Sequence, residues 1–124
     1  MTLEADYPRG GLRGAAKTAN DARVVEAVVA SAFALRPHEL RQASRGSAGA
    51  AFARQVAMYL SHTRLGVSYT TAGDLFGRDR TTAAHACRTV EDRREDPHVD
   101  AILDCLERAI DAWRNLPGGS DGGA

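Results

Sequence analysis

Apolar positions recur at helical spacing along most of the chain, and the runs are bounded by residues that start or stop helices. Asn20 or Asp21 can cap a first helix in which Val24, Val25, Val28, Val29, Ala32 and Phe33 share a face, ending near Leu35. Pro37 suits the first turn of a short element, PHELRQ, with Leu40 inward and Arg36 and Arg41 outward. Over residues 51–65, Phe52, Val56, Tyr59 and Leu60 form the stripe of a longer helix, leaving Arg54, Gln55 and His62 on other faces. Gly66 ends it, Ser68 or Thr70 caps a short helix through Phe76, and Gly77 turns the chain into a helix over 79–94. In that helix Ala83, Ala86, Cys87 and Val90 face inward, while Arg80, Thr81, Ala84 and Arg88 lie nearer solvent. After Pro97, Val99, Ile102, Leu103, Leu106, Ala109, Ile110 and Trp113 form a last stripe, with Asp100, Asp104, Glu107 and Asp111 on the other side as a solvated face.

The pattern predicts an all-α domain of about five to six helices over residues 19–116. A flexible tail is expected over 1–18 and a disordered one over 117–124. Composition agrees, since 44% hydrophobic residues with only 6% aromatics and abundant alanine favour closely packed helices. No apolar run reaches the length of about 18 residues needed to span a membrane. The first residues also lack a secretory leader, so a cytoplasmic, nucleoid-associated location is expected. Cys87 and Cys105 both fall in helical patterns without a CxxC pairing and read as buried free thiols.

Net charge is zero, but the charges are segregated. Residues 36–94 hold ten arginines against five carboxylates, and residues 95–124 hold two arginines against seven. A basic middle joined to an acidic end is what a nucleic-acid binder with an appended acidic helix would show. The segment GLRGAAKT nearly spells a phosphate loop, with Ala16 where a glycine is required and no buried strand before it, so no nucleotide site is expected.

The stretch FGRDRTTAAHACRTV, residues 76–90, concentrates the chemistry. Thr81 or Thr82 with His85 and Asp79 supplies the residue types of a hydrolase. No oxyanion donors or second acid accompany them, and the expectation is that the protein is not an enzyme. His85 and Cys87 point apart on a helix, and His38, His62 and His98 are scattered, so no metal site is expected. Reading of DNA uses the whole pattern. The second helix of a helix-turn-helix presents its first residues to base edges, and those residues are Asp79, Arg80 and Thr81. Arginine pairs with guanine O6 and N7, a threonine methyl touches thymine, and a carboxylate accepts from cytosine N4.

ARQVAMYLSH (53–62) and AGDLFGRDRTTAAHACRTVEDRR (72–94) resemble the two signature segments of the C-terminal DNA-binding domain of the bacterial replication initiator DnaA, a helix-turn-helix fold of Trp-repressor-like type. The resemblance implies that Asp79, Arg80 and Thr81 read bases in the major groove. It places Arg78, Thr82 and His85 near bases or phosphates, and Arg54, Gln55 and Thr70 on the phosphate backbone. Arg88 joins them on the exposed side of the helix, and Arg45 is the candidate for an arginine entering the minor groove. Two departures stand inside the motif: the family's double glycine is single at Gly77, and its histidine is Arg80, which together imply a different base preference.

Stand-alone proteins resembling this domain occur in alphaproteobacteria. The function expected is therefore sequence-specific binding of double-stranded DNA by a transcription regulator without a cofactor. A narrower expectation is an activator of a phage-derived, gene-transfer-agent-like cluster working with a protein partner or RNA polymerase. For the acidic helix over 98–115, ordinary packing against the core is the first expectation, and a partner surface formed by Trp113 and the acidic face is the sharper one. A replication modulator competing at initiator sites, or a protein-interaction module on the same fold, is the alternative.

Overall fold

The computed structural model describes residues 11–42 and 48–116, and among them every regular element is helical. The elements are α1 (Gly11–Ala32), a 3-10 turn (Pro37–Arg41), α2 (Ala48–Arg64), α3 (Tyr69–Leu75), α4 (Arg80–Arg93) and α5 (Pro97–Arg114). The predicted all-α architecture is the one observed. Helix α2 lies at the centre, in contact with each of the other elements. Its residues Val56 to Ser61 are consequently buried in an unbroken run, where a surface helix would show a single stripe. Val25 and Val29 of α1, Leu40 of the 3-10 turn, Phe76, Val90 of α4, and Leu103 and Ile110 of α5 complete the core.

The first helix begins at Gly11, so it takes in part of the expected tail, and Asn20 and Asp21 are interior residues with no capping role. Burial and charge pairing explain the difference. Asp21 is almost fully buried, Lys17 one turn earlier donates to its Oδ2 at 3.1 Å, and Arg114 of α5 reaches the same oxygen at 3.7 Å. The segment resembling a phosphate loop is therefore helical, and its lysine is bound to Asp21. One turn later the buried Glu26 pairs with Arg41 of the 3-10 turn. At its C-terminus, α1 closes by the bonds Leu35 N–H to Ala30 O (2.8 Å) and Ala34 N–H to Ser31 O (3.3 Å), with Ala34 at φ 57°. This is the helix stop that usually takes glycine, and alanine accepts strain there to turn Leu35 inward.

The last helix buries Leu103, Leu106 and Ile110 of its predicted stripe and departs from it at three positions. Ile102 (46% exposed) and Ala109 face solvent, while Glu107 (9% exposed) turns inward. The reason is Arg94, the C-cap of α4. Its guanidinium donates to Asp100 (2.6 Å), Asp104 (3.0 Å), Glu107 (2.9 Å) and the Tyr59 hydroxyl (3.1 Å). Arg64 of α2 adds contacts to Glu107 at 3.4 Å and Asp111 at 3.8 Å. The acids expected to form a solvated face are thus the seam that joins α5 to the body. Cys105, expected to be buried, lies on the outer side of α5 and is exposed.

Candidate nucleic-acid interface

The connection between α3 and α4 is built by close backbone approach. Ser68, not Thr70, caps α3 by accepting from the Thr71 N–H at 3.1 Å. At the other end the Gly73 carbonyl accepts from Phe76 (3.0 Å) and Arg78 (2.8 Å). The carbonyls of Arg78 and Asp79 lie so near Gly73 that a β-carbon there would stand 2.5 and 2.8 Å from them. Gly77, at φ 70°, makes the turn that an L side chain would strain. Asp79 then caps α4, its Oδ1 accepting from the Thr82 N–H at 2.8 Å.

That hydrogen bond holds the Asp79 carboxyl below its ordinary value of 3.8. A carboxylate with a depressed folded-state pKa contributes stability above that ordinary value, and the contribution is lost as pH falls through the folded value. Thermal melting of the protein is therefore expected to drop as the pH goes below about 3.8. The drop should be smaller for Asp79→Ala, which lacks the cap at every pH; equal acid slopes in melts recorded from pH 2 to 5 would contradict the role.

From this cap, Arg80, Thr81, Thr82, His85 and Arg88 all emerge exposed, while Ala83, Ala86, Cys87 and Val90 are buried against the rest of the domain. Beyond the contact of Thr82 with the Asp79 cap and a long contact of 3.5 Å between His85 Nε2 and Thr89 Oγ1, these exposed side chains make no hydrogen bond to another side chain among the described residues. The structure brings them together on the outward side of one helix, beginning at its N-terminus. Arg78 sits beside them half buried, donating to the carbonyls of Phe76 (3.3 Å), Gly77 (3.2 Å) and Gln42 (3.0 Å). The bond to Gln42 ties the end of the 3-10 turn to the start of α4; Arg45, the expected minor-groove residue, lies outside the described residues.

The other expected contact residues occupy different environments. Arg54 is buried, with 6% exposure; its Nε donates to the Leu40 carbonyl at 2.8 Å, and its Nη2 has no hydrogen-bond partner among the described residues. Burial first, and the neighbouring Arg78 charge second, push its pKa down. Gln55 and Thr70 are half buried. Of the described arginines elsewhere, Arg23, Arg41, Arg64, Arg94 and Arg114 pair with carboxylates, while Arg36, Arg93 and Arg108 make no ion pair among the described residues, Arg93 lying over the Phe52 ring. Arg54, Arg78, Arg80 and Arg88 make no ion pair among the described residues. Four uncompensated guanidinium groups around one turn and one helix create a positive field suited to an anion.

Among the described residues no three His, Cys, Asp or Glu side chains gather as a metal site would require. Burial pushes the Cys87 thiol up to about 11, with Glu91 adding to the shift, so it is a poor nucleophile at neutral pH. No described helix is long and apolar enough to cross a membrane.

Two residues beside the cluster escaped the sequence. Tyr69, first in α3, stacks on His62 with ring centroids 4.2 Å apart, and the Arg80 guanidinium lies over the Tyr69 ring at 5.9 Å. An aromatic at one helix start and an arginine at the next are visible in the chain, but no periodicity places two helix starts side by side.

Comparison with known proteins now bears on this geometry. The profile of a family described as the bacterial DnaA protein helix-turn-helix matches residues 22–90, which span α1 from Ala22 through the turn to Val90 of α4. The chromosomal replication initiator protein DnaA 2 of Chlamydia trachomatis is 37% identical over 75 residues, covering 60% of this chain and 16% of the relative. DnaA of Laribacter hongkongensis is 33% identical over 88 residues, covering 69% and 18%, and DnaA of Lachnoclostridium phytofermentans 35% over 85 residues, covering 67% and 18%. The chain thus spans less than a fifth of the length of these relatives.

Proposed function

Because the chain belongs to the bacterial DnaA helix-turn-helix family, we propose that it is a sequence-specific reader of double-stranded DNA with the N-terminal half of α4 as its reading edge. The observation that carries this reading is the grouping of Arg54, Arg78, Arg80 and Arg88, none with a carboxylate partner among the described residues, around the α3–α4 turn and the outward side of α4. Arg80 and Thr81 project where base edges would lie. Arg88 and His85 continue along the same side, and Thr82 flanks them. Asp79 acts first as the cap that holds this edge. Arg54 and Arg78 act as a phosphate clamp: a phosphate beside them would relieve the repulsion between two like charges. Gln55 and Thr70 flank the backbone path, and Arg45 is assigned a minor-groove contact from the family resemblance alone.

The role proposed for such a reader is regulation of transcription, with activation of a phage-derived gene cluster as the particular case and a protein partner engaged by the outer side of α5. Competition at replication-initiator sites is the second reading, favoured by the relatives, which are named replication initiators. Genome-wide mapping of bound DNA separates the two: peaks at promoters support regulation, and peaks confined to an origin support competition.

Direct DNA reading makes its own prediction. Counterions released by Arg45, Arg54, Arg78 and Arg88 should make log affinity fall against log salt with a slope of roughly −3 to −4. An affinity indifferent to salt would remove phosphate contacts as the source of binding. Arg80→His should change the preferred base at one position of a motif selected from randomised duplexes, costing about 1–3 kcal/mol of discrimination at the original base. An unchanged motif would refute direct readout by Arg80.

A further inference from the structure

Arg80 is the first residue of the proposed reading helix, and its charge meets no carboxylate among the described residues. A long side chain in that position samples many rotamers, and ordering one of them on DNA opposes binding. In this protein the guanidinium is placed over the ring of Tyr69, 5.9 Å from its centroid. Tyr69 is itself held, because its ring stacks on His62 at 4.2 Å with the two planes 22° apart. His62 is fixed in turn: its Nδ1 lies 2.7 Å from the Val67 carbonyl, which can only accept, so Nδ1 carries a proton and donates. A residue near the end of α2, the first residue of α3 and the first residue of α4 are therefore linked, the first two by ring stacking and the last two by a longer cation–π contact.

A guanidinium resting on a ring uses its face, which leaves the N–H groups along its edge free. Those edge donors are the ones a bidentate contact to guanine O6 and N7 requires. Contact with Tyr69 and contact with a base are consequently compatible, and the first narrows the directions from which the second is made.

We infer that Tyr69 is a specificity-positioning residue, holding Arg80 over its ring so that the guanidinium edge meets a base at a defined angle. The inference rests on the reading of α4 as the DNA-contacting helix. Tyr69 acts through Arg80 and makes no base contact itself.

The experiment is a double-mutant cycle on duplexes selected from a randomised pool by the wild-type protein, each compared with the same duplex altered at the base pair that depends on Arg80. Tyr69→Leu should lower discrimination at that base pair by about two- to fivefold, the range of an exposed cation–π contact. Tyr69→Phe, which keeps the ring, should retain it. Affinity for unrelated duplex and its salt slope should stay unchanged in both variants. In the Arg80→Ala background Tyr69→Leu should have no further effect. An equal effect of Tyr69→Leu with and without Arg80, in variants shown by circular dichroism to be folded, would overturn the positioning role while leaving DNA reading intact. If the wild-type protein enriches no motif from the pool, the reading beneath the inference fails instead, and the two failures are told apart at that step.

Discussion

Replacing Gly73 with alanine is expected to lower DNA affinity at least about tenfold and to destabilise the domain by about 1–3 kcal/mol, the usual range for overpacking. The β-carbon would stand 2.5 Å from the Arg78 carbonyl oxygen and 2.8 Å from that of Asp79. These are backbone atoms, so no side chain can swing away to make room. The carbonyls precede the first residue of α4, and relief requires moving the N-terminus of that helix with Arg80 and Thr81 on it. A shift on the order of 1 Å is enough to spoil hydrogen bonds that need donor–acceptor distances near 3 Å. Chemical denaturation and fluorescence anisotropy on a labelled duplex measure the two effects. Wild-type affinity in Gly73→Ala would show that the turn does not place the reading edge.

The second large effect is expected at Arg94. Its replacement by alanine should cost about 3 kcal/mol of folding stability, the lower end of the range for breaking a buried ion pair. Asp100 and Asp104 are about half exposed and contribute little each. Glu107 dominates, since its side chain is only 11% exposed and would keep its charge in a poorly solvated place when Arg94 leaves. The hydrogen bonds that Arg94 donates to Glu107 and, next, to Asp100 raise its guanidinium well above the ordinary arginine range. Arg94→Met combined with Glu107→Leu should recover most of the loss, because the buried Glu107 charge is removed with its partner while Arg64 keeps its contact with Asp111. Under conditions where Arg94→Ala remains folded, its DNA affinity should match the wild type. A proportionate loss of affinity would mean that the α5 junction also shapes the reading edge.

Much of this architecture is legible in the chain. The helices α2, α3 and α4 follow from their apolar spacing and from Gly66 and Gly77, and their predicted bounds lie within a few residues of those observed. The inward set Ala83, Ala86, Cys87 and Val90 is as predicted, because a two-sided helix shows its buried side in its periodicity. The first and last helices were less legible for one shared reason. Periodicity treats a carboxylate as an outward residue, yet Asp21, Glu26 and Glu107 are buried. Each has a basic partner distant in sequence: Arg114 for Asp21, Arg41 for Glu26, and Arg64 and Arg94 for Glu107.

The candidate site divides along the same line. The identity and order of Arg78 to Thr82, the turn glycines and the family to which they belong are properties of local sequence, because a turn and a helix start are encoded by consecutive residues. Which arginines remain available for DNA was decided only in three dimensions. Arg94 lies in the basic middle of the chain and is consumed by α5, while Arg80 meets no carboxylate and rests on Tyr69. Charge is counted along the chain but neutralised through space, and the tertiary packing settles which guanidinium groups find a carboxylate.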